Sequence, residues 1–531
     1  MQLCGNIQPL WSGVDKMNRH KWFRGGITLL IAAMILAGCG TQSTGGSKDS
    51  ATSTDSKVLT IANATDIESF DPHNNNNTAS EAVLVNVFDY LLKNDSQQKK
   101  VPGLATSWEK VDDVTWRFHL REGVTFHNGD PFTAEDVKYT IERVARDNTL
   151  KQNSYFKNIK EVKVVDEHTA DIITDGPDPL LLNRLSKMGA GILPSKYIEK
   201  NGIEAFLKKP IGTGPYKFSQ WIKDDRVVLV KNDKYYEGQP KWDQVVFRAI
   251  PEASTRVSEL LAGSIDIASG IPSTDIERIQ GEEAKKIVKA PIQRVLQLIL
   301  RQSQGSVTAD SKVREAIDLA IDKKGIVDSI AGGAGIVTRT SVTPGNFGAD
   351  PSLYEKTLYD PAKAKELLKQ AGYAGEGPTL TLSVSSIYKE YAEVVAAMLN
   401  KEGFNIKLDV LEPSAFSERY SSKSFKEMFM IGIGNSLFDA SNNYNRYLVE
   451  EAKGETDYNN PKVEKLLQHA LTNLDTASRE KEYQQVQQIL AEDRPAVYLF
   501  QMEGIYGTGN GVNFQPRSDE MFYAEDITPA K

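Results

Sequence analysis

The chain has 531 residues, of which 40% are hydrophobic and 25% are charged, which is typical of a globular protein too long for one hydrophobic core. We therefore expect two or three lobes. Its 63 Lys and Arg residues against 71 Asp and Glu give a formal net charge of −8, spread without a basic cluster, which argues against nucleic acid as a partner.

The N-terminal segment has the pattern of an export signal. A basic leader at residues 17–24 precedes an apolar run at 27–38, which is too short to span roughly 30 Å of hydrocarbon but suits a signal-peptide core. The run ends in LAGC, which resembles the bacterial lipoprotein processing box, where the cysteine is acylated and the chain is cut before it. We expect residues 1–38 to be a signal peptide, with Met17 as an alternative start, and Cys39 to carry the lipid. An ordinary signal peptide with an unrelated cysteine is the alternative.

The residues after Cys39 fit an anchored protein. Residues 39–57 form a tether rich in Ser, Thr and Gly, and no later stretch approaches 18 uncharged apolar residues. The other cysteine, Cys4, lies before the predicted cut, so the mature protein has no disulfide. Acyl chains contribute about 0.8 kcal/mol per buried CH₂. We expect a palmitate-type lipid anchor in the bilayer, on the extracellular face of the cell membrane of a Gram-positive bacterium.

The folded body begins with a strand, a loop and a helix. Residues 57–64 (KVLTIANA) alternate like a strand, and Thr78 with Glu81 fits a capping box that leads into VLVNVFDYLL. In VTWRFHL, residues 114–120, Trp116 and Phe118 share one face, while His119 lies on the other. His119 is therefore interpreted as a surface residue of a half-buried strand.

The stretch FHNGDPFTAEDVKY, residues 126–139, gathers a histidine and several acids that could suggest acid/base catalysis. Its centre is dense in turn-forming residues, and Thr133 can cap a following helix with Asp136 reaching back to it. Acids are favoured at the positive end of a helix. We interpret the cluster as a turn followed by a helix start, since no partner group for catalysis is apparent.

Strands and helices alternate through the rest of the chain, which predicts the α/β class. Predicted strands cover residues 242–250, 264–268, 380–386 and 404–412, and predicted helices cover 252–262, 313–330, 391–403 and a helical pair within 461–493.

Four segments in this order resemble the large solute-binding proteins of ABC importers for oligopeptides, dipeptides and nickel. They are residues 102–144, 210–218 (PIGTGPYKF), 312–327 and 491–500 (AEDRPAVYLF). The resemblance implies a two-lobed periplasmic-binding-protein clamshell, type II-like, in the large form with an extra subdomain. It assigns residues 58–91, 209–292 and 501–531 to lobe I, 92–208 to the extra subdomain and 293–500 to lobe II.

The resemblance also implies where ligand binds. Peptide-binding relatives pair the ligand's ammonium with an aspartate whose place here is taken by Ser436, and an arginine that holds the carboxylate is replaced near Ser385. Both expected charges are therefore missing, which argues against an ordinary dipeptide held by both termini. Arg301 meets either an acidic ligand or an acid of the other lobe. The predicted ligand contacts are Asp66, Ile67, Glu68, Arg301, Ser385, Asn435, Ser436, Leu437, Asp439 and Asn442.

The implied function is that of a monomeric binding protein that delivers a peptide or peptide-like solute to the permease and ATPase of an importer. A metal chelate or an oligosaccharide is the alternative cargo, and a tethered hydrolase or an adhesion protein is the alternative class. The chain has no G-x-S-x-G, G-x-x-x-x-G-K-[ST] or H-E-x-x-H motif, and its six histidines lack ligand spacing. We therefore predict no catalytic residues, no metal site and no cofactor.

Overall fold

A computed structural model describes residues 57–530. The predicted signal peptide, Cys39 and most of the tether lie outside the described residues. Within the described part the chain is a mixed α/β protein, as its sequence predicts, and no helix there is long and apolar enough to cross a membrane.

The strands of the described part are numbered in chain order. They are β1 Val58–Asn63, β2 Leu92–Asn94, β3 Lys100–Pro102, β4 Ala105–Lys110, β5 Thr115–Leu120, β6 Ile159–Asp166, β7 Thr169–Thr174, β8 Tyr216–Ile222, β9 Arg226–Lys231, β10 Gln244–Ala249, β11 Ile267–Ser269, β12 Lys285–Leu300, β13 Gly335–Val337, β14 Thr379–Ser385, β15 Asn405–Leu411, β16 Met428–Gly434, β17 Ala496–Gly509, β18 Val512–Asn513 and β19 Thr528–Pro529.

The helices are numbered in the same way. They are α1 Thr78–Leu84, α2 Ala134–Arg146, α3 Asn153–Phe156, α4 Leu181–Arg184, α5 Ser195–Asn201, α6 Ile203–Lys208, α7 Ala253–Ala262, α8 Ile276–Gln280, α9 Ser311–Ala320, α10 Lys323–Ser329, α11 Pro361–Gln370, α12 Lys389–Lys401, α13 Pro413–Ser421, α14 Ala440–Tyr444, α15 Val449–Ala452, α16 Pro461–Ala470 and α17 Thr476–Asp493.

Two long antiparallel strands, β12 and β17, run through both halves of the main sheet. The sheet has the order β15-β14-β16-β12-β17-β11-β1-β10-β9-β8. Along β12 the register with β17 shifts between Pro291 and Val295. On the side before the shift, β17 pairs with β11, which leads on to β1. On the side after the shift, β12 pairs with β16, which in turn pairs with β14. We call the half with β1 and β8–β11 the first lobe and the half with β14–β16 the second lobe.

Each lobe has its own hydrophobic core. In the first lobe, Leu59 of β1 and Phe118 of β5 belong to one cluster, so the separate sheet β4-β5-β7-β6 packs on the same core. The C-terminal segment joins this cluster through Phe522. In the second lobe, Leu298 of β12 and Val395 of α12 belong to another cluster. The two lobes are joined along β12 and β17, which run through both halves of the sheet.

Local signals predict some helix starts correctly and one wrongly. The carboxylate of Asp136 accepts a hydrogen bond from the Thr133 backbone N–H at 2.9 Å, so the capping box at α2 is confirmed. The capping box at Thr78 is wrong: α1 is capped by Asn77, whose side chain accepts from the Ser80 N–H at 2.7 Å. The Glu81 side chain therefore takes no part in capping α1. His119 is exposed, as predicted.

The segment GTG, residues 212–214, and the turn at residues 126–131 form one structural unit. His127 accepts from the Gly212 N–H through Nδ1 at 3.2 Å, and its Nε2 lies 3.0 Å from the Gly214 carbonyl oxygen. Burial lowers the pKa of His127 to about 4, so the ring is neutral at physiological pH. A Cβ on Gly212 would lie 1.9 Å from the Val87 carbonyl oxygen. The histidine and both glycines therefore serve packing.

Candidate ligand-binding site

A cavity of about 250 Å³ lies between the two lobes, and we call it the cleft cavity. A larger cavity of about 750 Å³ is lined by the first lobe and by the early part of β12, with no residue from the second lobe. Closure of a two-lobed protein buries what lies between its lobes. We therefore take the cleft cavity as the candidate site, although it is the smaller of the two.

The first-lobe wall of the cleft cavity carries the charged groups. It includes residues of α1, the pair Ser186 and Lys187, and the C-terminal segment 518–523. Strand β12 adds Gln293 and Arg294 at its register shift. The charged residues that line the cavity are Glu81, Lys187, Arg294, Asp519 and Glu520.

The second-lobe wall is uncharged. It is formed by the turn that follows β16 and by the start of α14, and it offers Gly434, Asn435, Ser436, Phe438 and Asn442. The Asn435 side-chain N–H donates to the Asp439 carbonyl at 3.0 Å and to Asn443 Oδ1 at 2.6 Å. These bonds, with the Asp439 N–H donating to Asn435 Oδ1 at 3.3 Å, hold the turn in place.

Phe438 holds an uncommon backbone conformation in this wall. Its φ of 55° lies in the left-handed region, which bulky residues rarely adopt. The Phe347 N–H donates to the Phe438 carbonyl and the Ala440 N–H to the Phe347 carbonyl, each at 3.0 Å, so the neighbouring segment holds the turn. Strained residues of this kind concentrate at ligand clamps.

Lys187 is the central cation of the cavity. The residue is only 5% exposed, and its Nζ lies 3.6 Å from the centre of the Tyr155 ring. Nζ also donates to Ser436 Oγ at 3.3 Å, which joins the first lobe to the second. Cation–π contact and a hydroxyl only partly replace the water that burial removes from an ammonium.

Glu81 is an acid of the same wall. Its Oε1 accepts from the Met188 N–H at 2.9 Å, which places the carboxylate beside the backbone that carries Lys187. Burial raises the pKa of the Glu81 carboxyl, and the Lys187 charge and the Met188 hydrogen bond oppose that rise. The remaining charged residues of the cavity are paired, Arg294 with Glu520 at 3.1 Å and Asp519 with Arg517 at 2.8 Å.

Of the residues predicted to contact ligand, the structure brings Asn435, Ser436 and Asn442 together in the cleft cavity. The other residues of the same turn serve the fold. The carbonyl of Leu437 accepts from the Asn183 side chain, and Asp439 pairs with Arg479 through bonds of 2.7 and 2.8 Å. Neither residue lines the cavity.

The remaining predicted contacts also lie away from the cleft cavity. Asp66 accepts from Trp221 Nε1 at 2.9 Å, Ile67 is buried in the first-lobe core, and Glu68 pairs with Lys151 at 2.6 Å. Arg301 pairs with Asp457 at 2.6 Å, an acid within the second lobe and not of the other lobe. The Ser385 hydroxyl is buried and has no hydrogen-bond partner among the described residues.

Sequence reasoning missed Glu81, Lys187 and Arg294 as cavity residues. Glu81 was predicted to belong to a capping box. Asn77, which also suits an N-cap and does cap α1, was the sequence signal against that prediction. Lys187 sits in LLNRLSKMG, where nothing in the local pattern separates it from a surface lysine.

Residues 99–455 match the sequence model of the family "Bacterial extracellular solute-binding proteins, family 5 Middle". The chain belongs to this family. Among curated family 5 relatives, the probable D,D-dipeptide-binding periplasmic protein DdpA of Escherichia coli (strain K12) is 28% identical, with 88% of this chain and 93% of that protein covered.

Solved structures of family 5 proteins have the same fold. The ABC transporter-associated periplasmic binding protein DppA from Helicobacter pylori, in complex with the peptide STSA, matches with a TM-score of 0.77 and 27% identity over 89% of this chain and 98% of that one. The oligopeptide-binding protein AppA from Bacillus subtilis, in complex with a nonapeptide, has a TM-score of 0.76 and 25% identity over 89% and 99% of the two chains. The two-lobed periplasmic-binding-protein fold is thus established for this family 5 chain, and it is a solute-binding protein.

Proposed function

We propose that this protein captures a short peptide or peptide-like solute between its two lobes and delivers it to the permease and ATPase of an ABC importer. The observation that carries the proposal is a cavity lined from both lobes, with Asn435, Ser436 and Asn442 on one side and charged groups on the other. The peptide-binding relatives and the H. pylori transporter protein support this class of cargo.

The size of the cleft cavity favours a short ligand. At about 250 Å³ it lies below the roughly 300–1,000 Å³ of pockets that hold drug-sized molecules. In this conformation it suits a peptide of two or three residues. The proposed ligand contacts are the three second-lobe residues together with Glu81, Lys187 and Tyr155.

Thermal unfolding of the purified full-length protein tests the proposal. A pool of di- and tripeptides is expected to raise its unfolding temperature and to be recovered unchanged by mass spectrometry, since a bound ligand at 100 times its Kd stabilises by about 2.7 kcal/mol. Nickel with histidine and a mixture of oligosaccharides are tested in the same unfolding measurement as the alternative cargo classes. Stabilisation by either of these but not by peptides, or cleavage of the peptides, contradicts the proposal.

We further propose that the protein is a monomer held at the extracellular face of the cell membrane by a lipid on Cys39 and a tether at residues 39–57, in a Gram-positive bacterium. The LAGC box after a short apolar run supports this placement. We also propose that lobe I comprises residues 58–91, 209–292 and 501–531, with 92–208 as its extra subdomain and 293–500 as lobe II. The continuity of β12 and β17 through both halves of the sheet supports a boundary near residues 293 and 501.

A further inference from the structure

The turn that follows β16 is contacted by three side chains from across the cleft. All three come from the segment 92–208, which packs on the first-lobe core, and they meet three consecutive residues of the turn. The contacts join Lys187 to Ser436, Asn183 to Leu437 and Lys100 to Phe438. Of these three side chains, Lys187 lines the cleft cavity, whereas Asn183 and Lys100 do not.

Asn183 supplies a hydrogen bond between the lobes. Its side-chain N–H donates to the Leu437 carbonyl. The residue also lines a separate cavity of about 160 Å³ together with Phe347 and Asp439 of the second lobe. Its helix, α4, is fixed in the first lobe, since Leu181 belongs to the first-lobe core. The bond therefore ties the packed interior of one lobe to the turn of the other.

Lys100 adds a second contact outside the cleft cavity. It belongs to β3, and its Nζ donates to Asn94 Oδ1 of the paired strand β2 at 2.8 Å. The same ammonium lies 5.8 Å from the centre of the Phe438 ring, within reach of a cation–π interaction. Burial lowers the pKa of Lys100 to about 8, an effect that Asp439 and Asp95 oppose, so the group is mostly charged at pH 7.

The turn is itself tied to the second lobe at both ends. Asn435 at its start donates to Asn443 Oδ1 at 2.6 Å. Asp439 at its end pairs with Arg479 through bonds of 2.7 and 2.8 Å. A contact made by the turn is therefore a contact of the whole lobe, and a hinge motion that opens the cleft must break it.

We infer that Asn183 and Lys100 form a latch that stabilises the closed arrangement of the two lobes from outside the cleft cavity. The latch joins protein groups to protein groups, so it acts whichever solute is bound. By raising the fraction of closed molecules it sets part of the affinity for every ligand. The inference goes beyond the proposed function, because it does not depend on the class of cargo.

The distance between the lobes, measured without added ligand, tests the latch. Spin labels are placed at Lys223→Cys and Lys407→Cys, two exposed positions at opposite ends of the main sheet. Cys4 and Cys39 are replaced by Ser so that the labels attach only there, and bound solute is removed by dialysis. Double electron–electron resonance at pH 7 then gives the ratio of closed to open molecules.

Variants of the two latch residues are expected to open the protein. Asn183→Ala is expected to lower the ratio of closed to open molecules about two- to tenfold, the usual net effect of one hydrogen bond. Asn183→Asp keeps the shape but removes the N–H donor, and is expected to lower the ratio at least as much. Lys100→Met is expected to lower it about two- to fivefold, as for one cation–π contact. Asn201→Ala and Lys99→Met, exposed residues of the same segment, are matched controls that are expected to keep the wild-type ratio.

A double-mutant cycle shows whether Lys100 acts through the Phe438 ring. Phe438→Leu removes the ring, so Lys100→Met is expected to have little further effect in that background. If Lys100→Met lowers the ratio as much in Phe438→Leu as in the wild type, the lysine acts elsewhere and the latch as described is overturned.

The other outcomes are equally decisive. If the Asn183 and Lys100 variants all keep the wild-type distances, or if the two controls shift them as much, the latch is overturned. Neither result affects peptide capture, which is tested by thermal unfolding with added peptides. Conversely, failure of peptides to bind leaves the latch standing, since its measurement contains no ligand.

Discussion

Asp439 was predicted to contact the ligand, but its carboxylate forms a buried ion pair with Arg479. Both Asp439 and Arg479 are buried, with side chains 4% exposed, and they form two hydrogen bonds. Asp439 also accepts from the Ser441 N–H at 2.9 Å at the start of α14. Its carboxylate is therefore fully engaged before any ligand arrives.

Replacing Asp439 by Asn is expected to destabilise the protein strongly. The change leaves Arg479 buried without its partner, which costs about 3–5 kcal/mol. Asp113→Asn, which breaks a pair with Lys110 at a 74% exposed aspartate, is expected to change stability by less than about 1 kcal/mol. Urea unfolding measures both. A small loss of stability in Asp439→Asn combined with loss of ligand binding would instead indicate a direct ligand role.

Glu525 predicts a pH dependence of stability. The pKa of Glu525 is raised to about 7, chiefly by burial, which Lys93, 3.6 Å away, opposes and which Asp89 and Glu237 reinforce. The folded-state pKa thus lies above that of the unfolded chain. The stability contributed by Glu525 is fully present below the unfolded pKa and is lost as the pH rises through about 7.

Glu525→Gln removes this titration. The difference in free energy of unfolding, variant minus wild type, is expected to become more positive by on the order of 2 kcal/mol between pH 5 and pH 8. Urea unfolding at both pH values measures it, with Glu161→Gln as an exposed control. A difference that stays constant or falls between pH 5 and pH 8 contradicts this assignment.

At the scale of elements, the motif GTG is explained by close packing of backbone on backbone. Both Gly212 and Gly214 lie against residues 86–87, where an added Cβ would come within 3.0 Å of backbone atoms. His127 holds the same segment from the other side. The conformation of this unit leaves no room for a side chain at either glycine.

Gly212→Ala is expected to destabilise the protein by about 1–3 kcal/mol or more, since backbone must move to admit the methyl group. Gly176→Ala is the matched control, because nothing lies within 4 Å of its added Cβ. Thermal unfolding of the two variants gives the comparison. Equal stability of both variants would show that the backbone near Gly212 can move to admit the methyl group without loss of stability.

The sequence predicted correctly those helices whose starts depend on residues close by in the chain. The capping box of α2 and helix α7 depend on neighbouring residues and were placed correctly. Helix 313–330 was predicted as continuous, yet it is broken between α9 and α10 near Asp322, which caps α10 through the Gly325 N–H. Glu81 was misassigned because its partner, Met188, lies 107 positions away in the chain.

The candidate site was only partly predictable for the same reason. Asn435, Ser436 and Asn442 occupy one turn, so a resemblance to relatives could place them together. The charged wall combines α1, residues 186–187 and the C-terminal segment, which only the tertiary fold brings together. The sequence therefore predicted cavity residues of the second lobe and missed the charged cavity residues of the first.

For the whole molecule, the proposed lipid on Cys39 predicts in which cell fraction the protein is found. Cys39→Ala is expected to move the protein from the membrane fraction to the soluble fraction, because it removes the site of the proposed acyl anchor. Cys4→Ala lies before the predicted cut and is expected to fractionate like the wild type. If the processed wild type carries no lipid by mass spectrometry and Cys39→Ala distributes as it does, the anchor is refuted.

The whole molecule combines two lobes joined along β12 and β17 with a cavity whose charged lining residues come from the first lobe and β12. This arrangement suits capture of a small charged solute followed by closure. The most direct test is mass spectrometry of the small molecules released when the protein, purified gently from its native cells, is denatured. We predict short peptides, in roughly equimolar amount. Release of a metal chelate or an oligosaccharide in place of peptides would contradict the account.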